Sequence, residues 1–291
     1  MNPYLLIFSA AMLWALVGIF TALLLGAGMG AMEIAFWRAV IAATVFTAHS
    51  LVTGQYSLRR RSDIAVFVVF GLVGVTLFFS SLSLAIDAGG ISLAVVLLYT
   101  APVFVIVLAR IFLGEQLTAA KAAAVALVVG GVAFIAFGGD SAGISVTVVS
   151  LGWGLCAGLS YALMSVGGKY LLAHYNPVTI YAYIMPVGAL GLIPMADISL
   201  PSATAFLWLI PLGVLSTYAS SLLYYTGLRR AQASRAVLVA STEPVIAAVL
   251  AAIIFGERFG MWGAVGAAMV VLASLIGVFW RSGDKSGEGG E

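Results

Sequence analysis

The chain has 291 residues, of which 63 % are hydrophobic and only 8 % are charged, with a mean hydropathy of +1.16. Globular domains are about 45–50 % apolar and about 25 % charged, so 13 basic and 11 acidic residues cannot clothe a water-exposed surface of this size. This excludes a water-soluble enzyme, a disordered chain and, at a formal net charge of +2, a binder of nucleic-acid phosphates.

A polytopic, all-α membrane protein remains. Its single cysteine, Cys156, excludes an intrachain disulfide and a cysteine-based metal cluster, and no cofactor or metal is implied. The start, Met1-Asn2-Pro3, lacks the basic region of a signal peptide, so the first apolar run is read as a retained span.

Hydropathy, and the Gly, Pro and charged residues that interrupt it, predict ten spans. Each approaches the roughly 20 apolar residues needed to cross a hydrocarbon core of about 30 Å. The first, 4–25, holds Trp14 halfway along. The second, 33–53, has Arg38 near one end, where a long basic side chain is expected to snorkel to the headgroups. The third, 64–86, contains Phe78, and the fourth, 91–112, contains Tyr99-Thr100-Ala101-Pro102. The fifth, 118–137, carries Ala122, Ala126 and Gly130 at four-residue spacing, a stripe that lets helices approach closely. The sixth, 148–170, has Gly154 and Gly158 in a GxxxG, then Tyr161, then Lys169 at its end. The seventh and eighth are 178–196 and 204–228, the latter with Tyr218. The ninth, 233–254, carries Ser241-Thr242-Glu243-Pro244, and the tenth, 259–280, has Gly260, Ala264 and Ala268 as a second small-residue stripe. The loops are too short for an extramembrane domain, and 282–291 reads as a disordered cytoplasmic tail.

Basic residues in short loops mark the cytoplasmic side. With the N-terminus inside, 11 of the 13 basic residues fall on that side, and only Arg38 and Arg258 fall outside. The expectation is a multi-pass protein of the bacterial inner membrane with both termini cytoplasmic. Trp37, Trp153, Trp208, Trp262 and Trp280 lie near span ends as an aromatic belt.

The chain repeats itself. Thr100-Ala101-Pro102-Val103 and Gly114-Glu115 recur 142 residues later as Thr242-Glu243-Pro244-Val245 and Gly256-Glu257. Trp14-Ala15-Leu16 pairs with Tyr161-Ala162-Leu163. The expected units are 1–141 and 142–281, each of five helices. Five is odd, so the second runs upside down relative to the first. Inverted repeats with a site near the midplane between them are common in secondary transporters.

The residues that carry the repeat resemble a known family. Pro102 with Gly114-Glu115, recurring as Glu243-Pro244 with Gly256-Glu257, looks like the EamA-type members of the drug/metabolite transporter superfamily. Among these, amino-acid exporters of the YddG type are the nearest comparison. The resemblance implies two inverted five-helix repeats around a central cavity, alternating access, and export of amino acids or related metabolites. Other metabolites or lipophilic drugs are the alternative substrates, and a channel-like facilitator is a further reading. The lysine- or glycine-rich signature of nucleotide-sugar carriers is missing, as is a Walker-type nucleotide motif.

Glu243 stands at the centre of the ninth span, where a charge costs about 2.5–3.5 kcal/mol on insertion scales. It could carry a proton or accept a substrate ammonium; equally, it could serve the backbone freed by Pro244. Pro102 and Pro244 are hinge candidates, or simply shape their helices. Trp14, Phe78, Tyr99, Tyr161 and Tyr218 lie at mid-span depth, and Ser241 is the repeat partner of Tyr99. A buried Tyr or Trp polar group needs a partner that lipid lacks, so these side chains are expected to face a cavity or pack between helices. Lys169 is an entrance candidate or a snorkelling residue, and Glu115 and Glu257 are expected to be structural. The sequence therefore points to a carrier of small molecules, monomeric and surrounded by lipid, without a nucleic-acid partner. A membrane enzyme would need a mid-span His or Asp beside its serines, which the spans lack.

Overall fold

The computed structural model describes residues 2–137, 145–255 and 260–279. Gly138-Gly139-Asp140, Gly256, Glu257, Arg258, Trp280 and the tail 282–291 lie outside the described residues. Among the described residues, ten helices are long and apolar enough to cross a membrane. They are α1 (Pro3–Gly26), α2 (Ala31–Val52), α3 (Asp63–Gly89), α4 (Ile91–Phe112), α5 (Ala119–Phe137), α6 (Val148–Leu171), α7 (Pro177–Met195), α8 (Ala203–Leu228), α9 (Ala233–Ile254) and α10 (Met261–Phe279). Lipid offers the backbone no hydrogen bonds, so each crossing satisfies its own. The outward faces carry exposed Leu5, Phe8, Met12, Val107, Ile111, Leu155 and Ile253, as a lipid-facing belt requires.

Helix starts follow from short polar side chains placed just before the apolar runs. Asn2, Asn176 and Ser202 accept hydrogen bonds from the amides of Tyr4, Thr179 and Ala205, at 3.0, 2.8 and 3.1 Å. Pro3 and Pro177 take early positions in the first turn, where no amide donor is needed. Each such cap stabilises its helix by about 1 kcal/mol.

The two inverted repeats share their irregularities. The third helix of each widens into a π-helical stretch, Leu72–Leu77 in α3 and Val214–Ala219 in α8, 142 residues apart at both ends. The fourth helix of each is broken near its middle. α4 consists of Ile91–Leu98 and Ala101–Phe112, separated at Tyr99-Thr100. The first segment of α9 is Ala233–Ala240, the second begins at Glu243, and Ser241-Thr242 separates them. Pro102 and Pro244 therefore do not kink continuous helices. Each sits in the first turn of a new segment, where proline is tolerated.

The fifth helices cross closely. A Cβ built on Gly131 would lie 2.6 Å from the Gly266 carbonyl oxygen, and one on Gly266 would lie 2.3 Å from that of Gly131. This corrects the expected stripes. Ala122, Ala126, Gly260, Ala264 and Ala268 are exposed, and the buried face is Ala124, Val128 and Gly131 against Gly263, Gly266 and Val270. Only Gly130 of these faces the partner helix, a Cβ there lying 3.0 Å from Met269; the other stripe residues follow the right period on the wrong side of each helix. Gly154 and Gly158 do seat α6 against the break in α4, meeting Leu97 and Thr100.

Alternation of ten crossings puts the loops 53–62, 113–118, 172–176 and 229–232 on one face, here called the basic face. There Glu115 reaches from one repeat into the other. Its carboxylate accepts from the amides of Ala233 and Ser234, at 2.6 and 3.2 Å, and from the Ser234 hydroxyl. Buried Lys121 lies 3.6 Å away. Glu115 thus caps α9 instead of ending its own helix. The Tyr175 hydroxyl donates to Asp63, and Thr179 Oγ1 donates to the Gln55 carbonyl at 2.7 Å. On the opposite face Ser199 Oγ donates to Glu33 at 2.6 Å. Between these ties α2 and α7 pack through Phe46 and Tyr181, whose rings stack with centroids 4.7 Å apart.

Candidate functional site

The irregular segments surround a central cavity of about 120 Å³. Gly74 and Val75 reach it from the first π-helical stretch and Thr217 from the second; Leu98 and Glu243 reach it from the two helix breaks. Trp14 from α1, Phe78, Phe79 and Leu82 from α3, and Tyr161 and Met164 from α6 add an apolar and aromatic wall. Tyr181, Tyr224 and Tyr225 close the end nearest the basic face; each is at most 2 % exposed. A mostly apolar hollow with a few converging polar groups is the usual form of a small-molecule site.

Trp14, Phe78, Tyr161 and Glu243, all singled out from sequence, meet at this cavity. Tyr161 is the hub: its ring lies 6.4 Å from Trp14 and 6.0 Å from Phe78. Trp14 also meets Tyr224 at 5.1 Å, and the Tyr224 hydroxyl shares a 3.2 Å hydrogen bond with Ser165. Glu243 stands at the N-terminus of the second segment of α9, where the helix dipole favours a negative charge. The Tyr99 hydroxyl is its polar neighbour. Tyr99 is itself buried in the packing around α4, α5 and α10 and is not a wall residue.

Besides Tyr99, three more expected site residues do not line the cavity. The Tyr218 hydroxyl bonds His49 Nδ1 at 2.8 Å, and its ring packs edge-on against Phe46. In an unbroken α-helix Tyr218 would share a face with Tyr225, seven residues on; the π-helical stretch through Tyr218 shifts that register. Ser241 is 2 % exposed and its hydroxyl returns to the Val237 carbonyl at 2.8 Å. Lys169 Nζ bonds the carbonyls of Leu228 and Arg229 at 2.8 and 3.0 Å, so it caps the end of α8. Thr100 and Thr242 likewise turn back, to the carbonyls of Leu97 and Val239 at 2.6 and 2.8 Å.

Arg38 is the largest departure from expectation. It does not snorkel: it lines the cavity, its Nε donating to Thr217 Oγ1 at 3.2 Å and its guanidinium lying 4.6 Å over the Phe79 ring. The helix α2 starts at Ala31, so Arg38 lies seven residues, about 10 Å, below the end of its span. Counting depth from the helix start, and not from the hydropathy edge, would have flagged it. Tyr181, Ser165, Ser221 and Tyr224 carried no comparable signal, because tyrosine and serine are common in apolar helices that merely pack.

The sequence profile described as the EamA-like transporter family matches residues 1–137 and 149–279. The chain belongs to the EamA-like transporter family. Other transporters are similar over most of its length. One from Archaeoglobus fulgidus, named an uncharacterized transporter, is 28 % identical over 84 % of this chain and 87 % of its own. The inner membrane transporter YicL of Salmonella typhimurium is 21 % identical over 92 % of this chain and 91 % of its own. A protein of Streptantibioticus cattleyicolor, named a probable terminal-alkyne amino-acid exporter, is 27 % identical over 63 % of this chain and 64 % of its own. A solved crystal structure superposes with a TM-score of 0.82 at 17 % identity, covering 94 % of this chain and 95 % of that one, which establishes a shared fold. This EamA-like chain is thus a membrane transporter whose two repeats enclose the cavity described above.

Proposed function

We propose that this chain exports amino acids or related small metabolites across a bacterial cytoplasmic membrane by alternating access. It works as a monomer, with the basic face cytoplasmic and the repeats 1–141 and 142–281 moving against one another. The observation that carries this reading is Glu243, a carboxylate at a helix break on an aromatic cavity between inverted repeats. Such a group at such depth is costly, and in transporters broken helices at the midplane form substrate and coupling-ion sites. The amino-acid exporter among the relatives adds support for the substrate class.

In this reading Glu243 accepts a substrate ammonium or a coupled proton, and Tyr99 orients its carboxylate. Trp14, Phe78 and Tyr161 hold the apolar part of the substrate. The breaks at Pro102 and Pro244 are the joints at which α4 and α9 change shape.

Counterflow in proteoliposomes tests this. Vesicles loaded with an unlabelled amino acid should transiently accumulate a labelled one above equilibrium. Glu243→Gln, purified as a folded monomer, should lose most of that signal. Accumulation with lipophilic cations but with no amino acid would move the reading to drug export. Entry that never exceeds equilibrium would identify a channel.

A further inference from the structure

Two opposite charges face the same small cavity. Arg38 and Glu243 both line the cavity and influence one another electrostatically, yet among the described residues they form no salt bridge. A buried pair whose only role is mutual neutralisation closes into direct contact, because only close geometry repays desolvation. Here the cavity keeps the two charges apart.

The guanidinium is held ready for a ligand. Nε is fixed by Thr217, and Thr217 is itself fixed by donating to the Leu212 carbonyl at 3.0 Å. The Phe79 ring supports one face of the planar group. Among the described residues, the two terminal amino groups of Arg38 have no hydrogen-bond partner. Those are the donors that grip a carboxylate in a two-pronged fashion.

We infer that Arg38 is the carboxylate anchor of the transport site, and that with Glu243 opposite it selects zwitterionic α-amino acids. This deepens the proposed function and rests on it. The substrate carboxylate meets the Arg38 amino groups, and the ammonium meets Glu243. The substrate side chain lies against Phe78, Leu82, Leu98 and Met164, all of which offer only hydrocarbon, aromatic or thioether surface. The site therefore favours apolar side chains and rejects molecules lacking either charge, since the unmatched residue would stay desolvated and unpaired.

The test uses the full chain in proteoliposomes and two labelled compounds, leucine and leucinamide, the latter having the same ammonium and side chain but no carboxylate. Wild-type protein should take up leucine in counterflow at least about tenfold faster than leucinamide. Arg38→Gln should lower leucine counterflow about tenfold or more while leaving leucinamide uptake within about twofold, so that discrimination collapses. Arg38→Lys, which keeps the charge without the fork, should retain part of the discrimination and serves if Arg38→Gln does not fold. Equal losses for both compounds, in protein that elutes as a folded monomer, would overturn the inference and make Arg38 a structural partner of Glu243. Undiminished leucine counterflow in Arg38→Gln would overturn it too. A wild-type protein that carries neither compound nor any other amino acid would overturn the proposed function itself, which separates the two failures.

Discussion

Trp14 and Tyr161 occupy equivalent places in the two repeats and meet at the cavity, their ring centroids 6.4 Å apart at an interplanar angle of 71°. The pseudo-axis that relates the repeats therefore passes close to this edge-on pair. Each copy of the repeat thus contributes one aromatic ring of this contact to the cavity wall.

Replacement of that pair should alter selectivity before it alters folding. Trp14→Ala and Tyr161→Ala are expected to shift the ratio of counterflow rates for large and small apolar amino acids by about tenfold, a change of about 1.4 kcal/mol in relative binding. Both side chains are half-buried against the cavity, so expression and monodispersity should change less than transport. Loss of folded protein in both variants would assign the pair to packing. Rates across the amino-acid panel, set beside elution profiles, give the answer.

Glu115 makes a prediction about stability in place of transport. Its carboxylate serves two amides and a hydroxyl at the start of α9, with Lys121 beside it, both carboxylate and ammonium being under 10 % exposed. Glu115→Ala uncaps α9 and takes the carboxylate from beside buried Lys121, which keeps its bond to the Gln116 carbonyl at 2.9 Å, and should cost about 2 kcal/mol. Glu115→Gln keeps part of the cap and should cost less. Thermal unfolding in detergent would read both. Equal melting temperatures for wild type and Glu115→Ala would remove Glu115 from the architecture.

The crossing of α5 and α10 leaves no room for a methyl group. Gly266→Ala would drive its Cβ to 2.3 Å from a backbone oxygen and should destabilise by about 1–3 kcal/mol through forced separation of the helices. Gly152, whose Cβ would meet nothing within 4 Å, is the control, and Gly152→Ala should be neutral or slightly stabilising. The contrast in melting temperature between the two variants checks the crossing without reference to transport.

Pro244 separates shape from movement. With proline removed, the second segment of α9 regains an amide donor and Ser241-Thr242 can close into a continuous helix. Pro244→Ala is expected to slow counterflow several-fold while leaving the melting temperature nearly unchanged. An unaltered rate would make the break a fixed feature of the resting shape. Pro102→Ala tests the matching break, where the side chain that flanks the proline is Ala101 and not a carboxylate.

Much of the architecture was legible because membrane solvation imposes a simple rule on sequence. Each crossing must be apolar for about 20 residues, and the recurrence of Thr-x-Pro-Val and Gly-Glu shows how crossings are grouped. The site was legible only where chemistry was conspicuous. Glu243 stood out because a carboxylate at that depth is costly, and Trp14 and Tyr161 stood out because the repeat pairs them. Arg38 did not, since a basic residue near a hydropathy edge ordinarily reaches the headgroups. Tyr218 pairs with His49 instead because mid-span depth does not say which way a side chain faces, and the π-helical turn through it leaves no mark in composition. The small-residue stripes failed for a related reason. Alanine is small enough to pack and apolar enough to face lipid, so spacing alone does not say which side of α5 meets α10.

The paired π-helical turns carry information about descent. A widened turn arises when a residue is gained within a helix that keeps its ends in place. Here the same six-residue widening stands at the same distance along both copies. Two separate gains at one position are less economical than one gain followed by copying. The bulge is then older than the doubling of the sequence, and the five-helix ancestor already carried it.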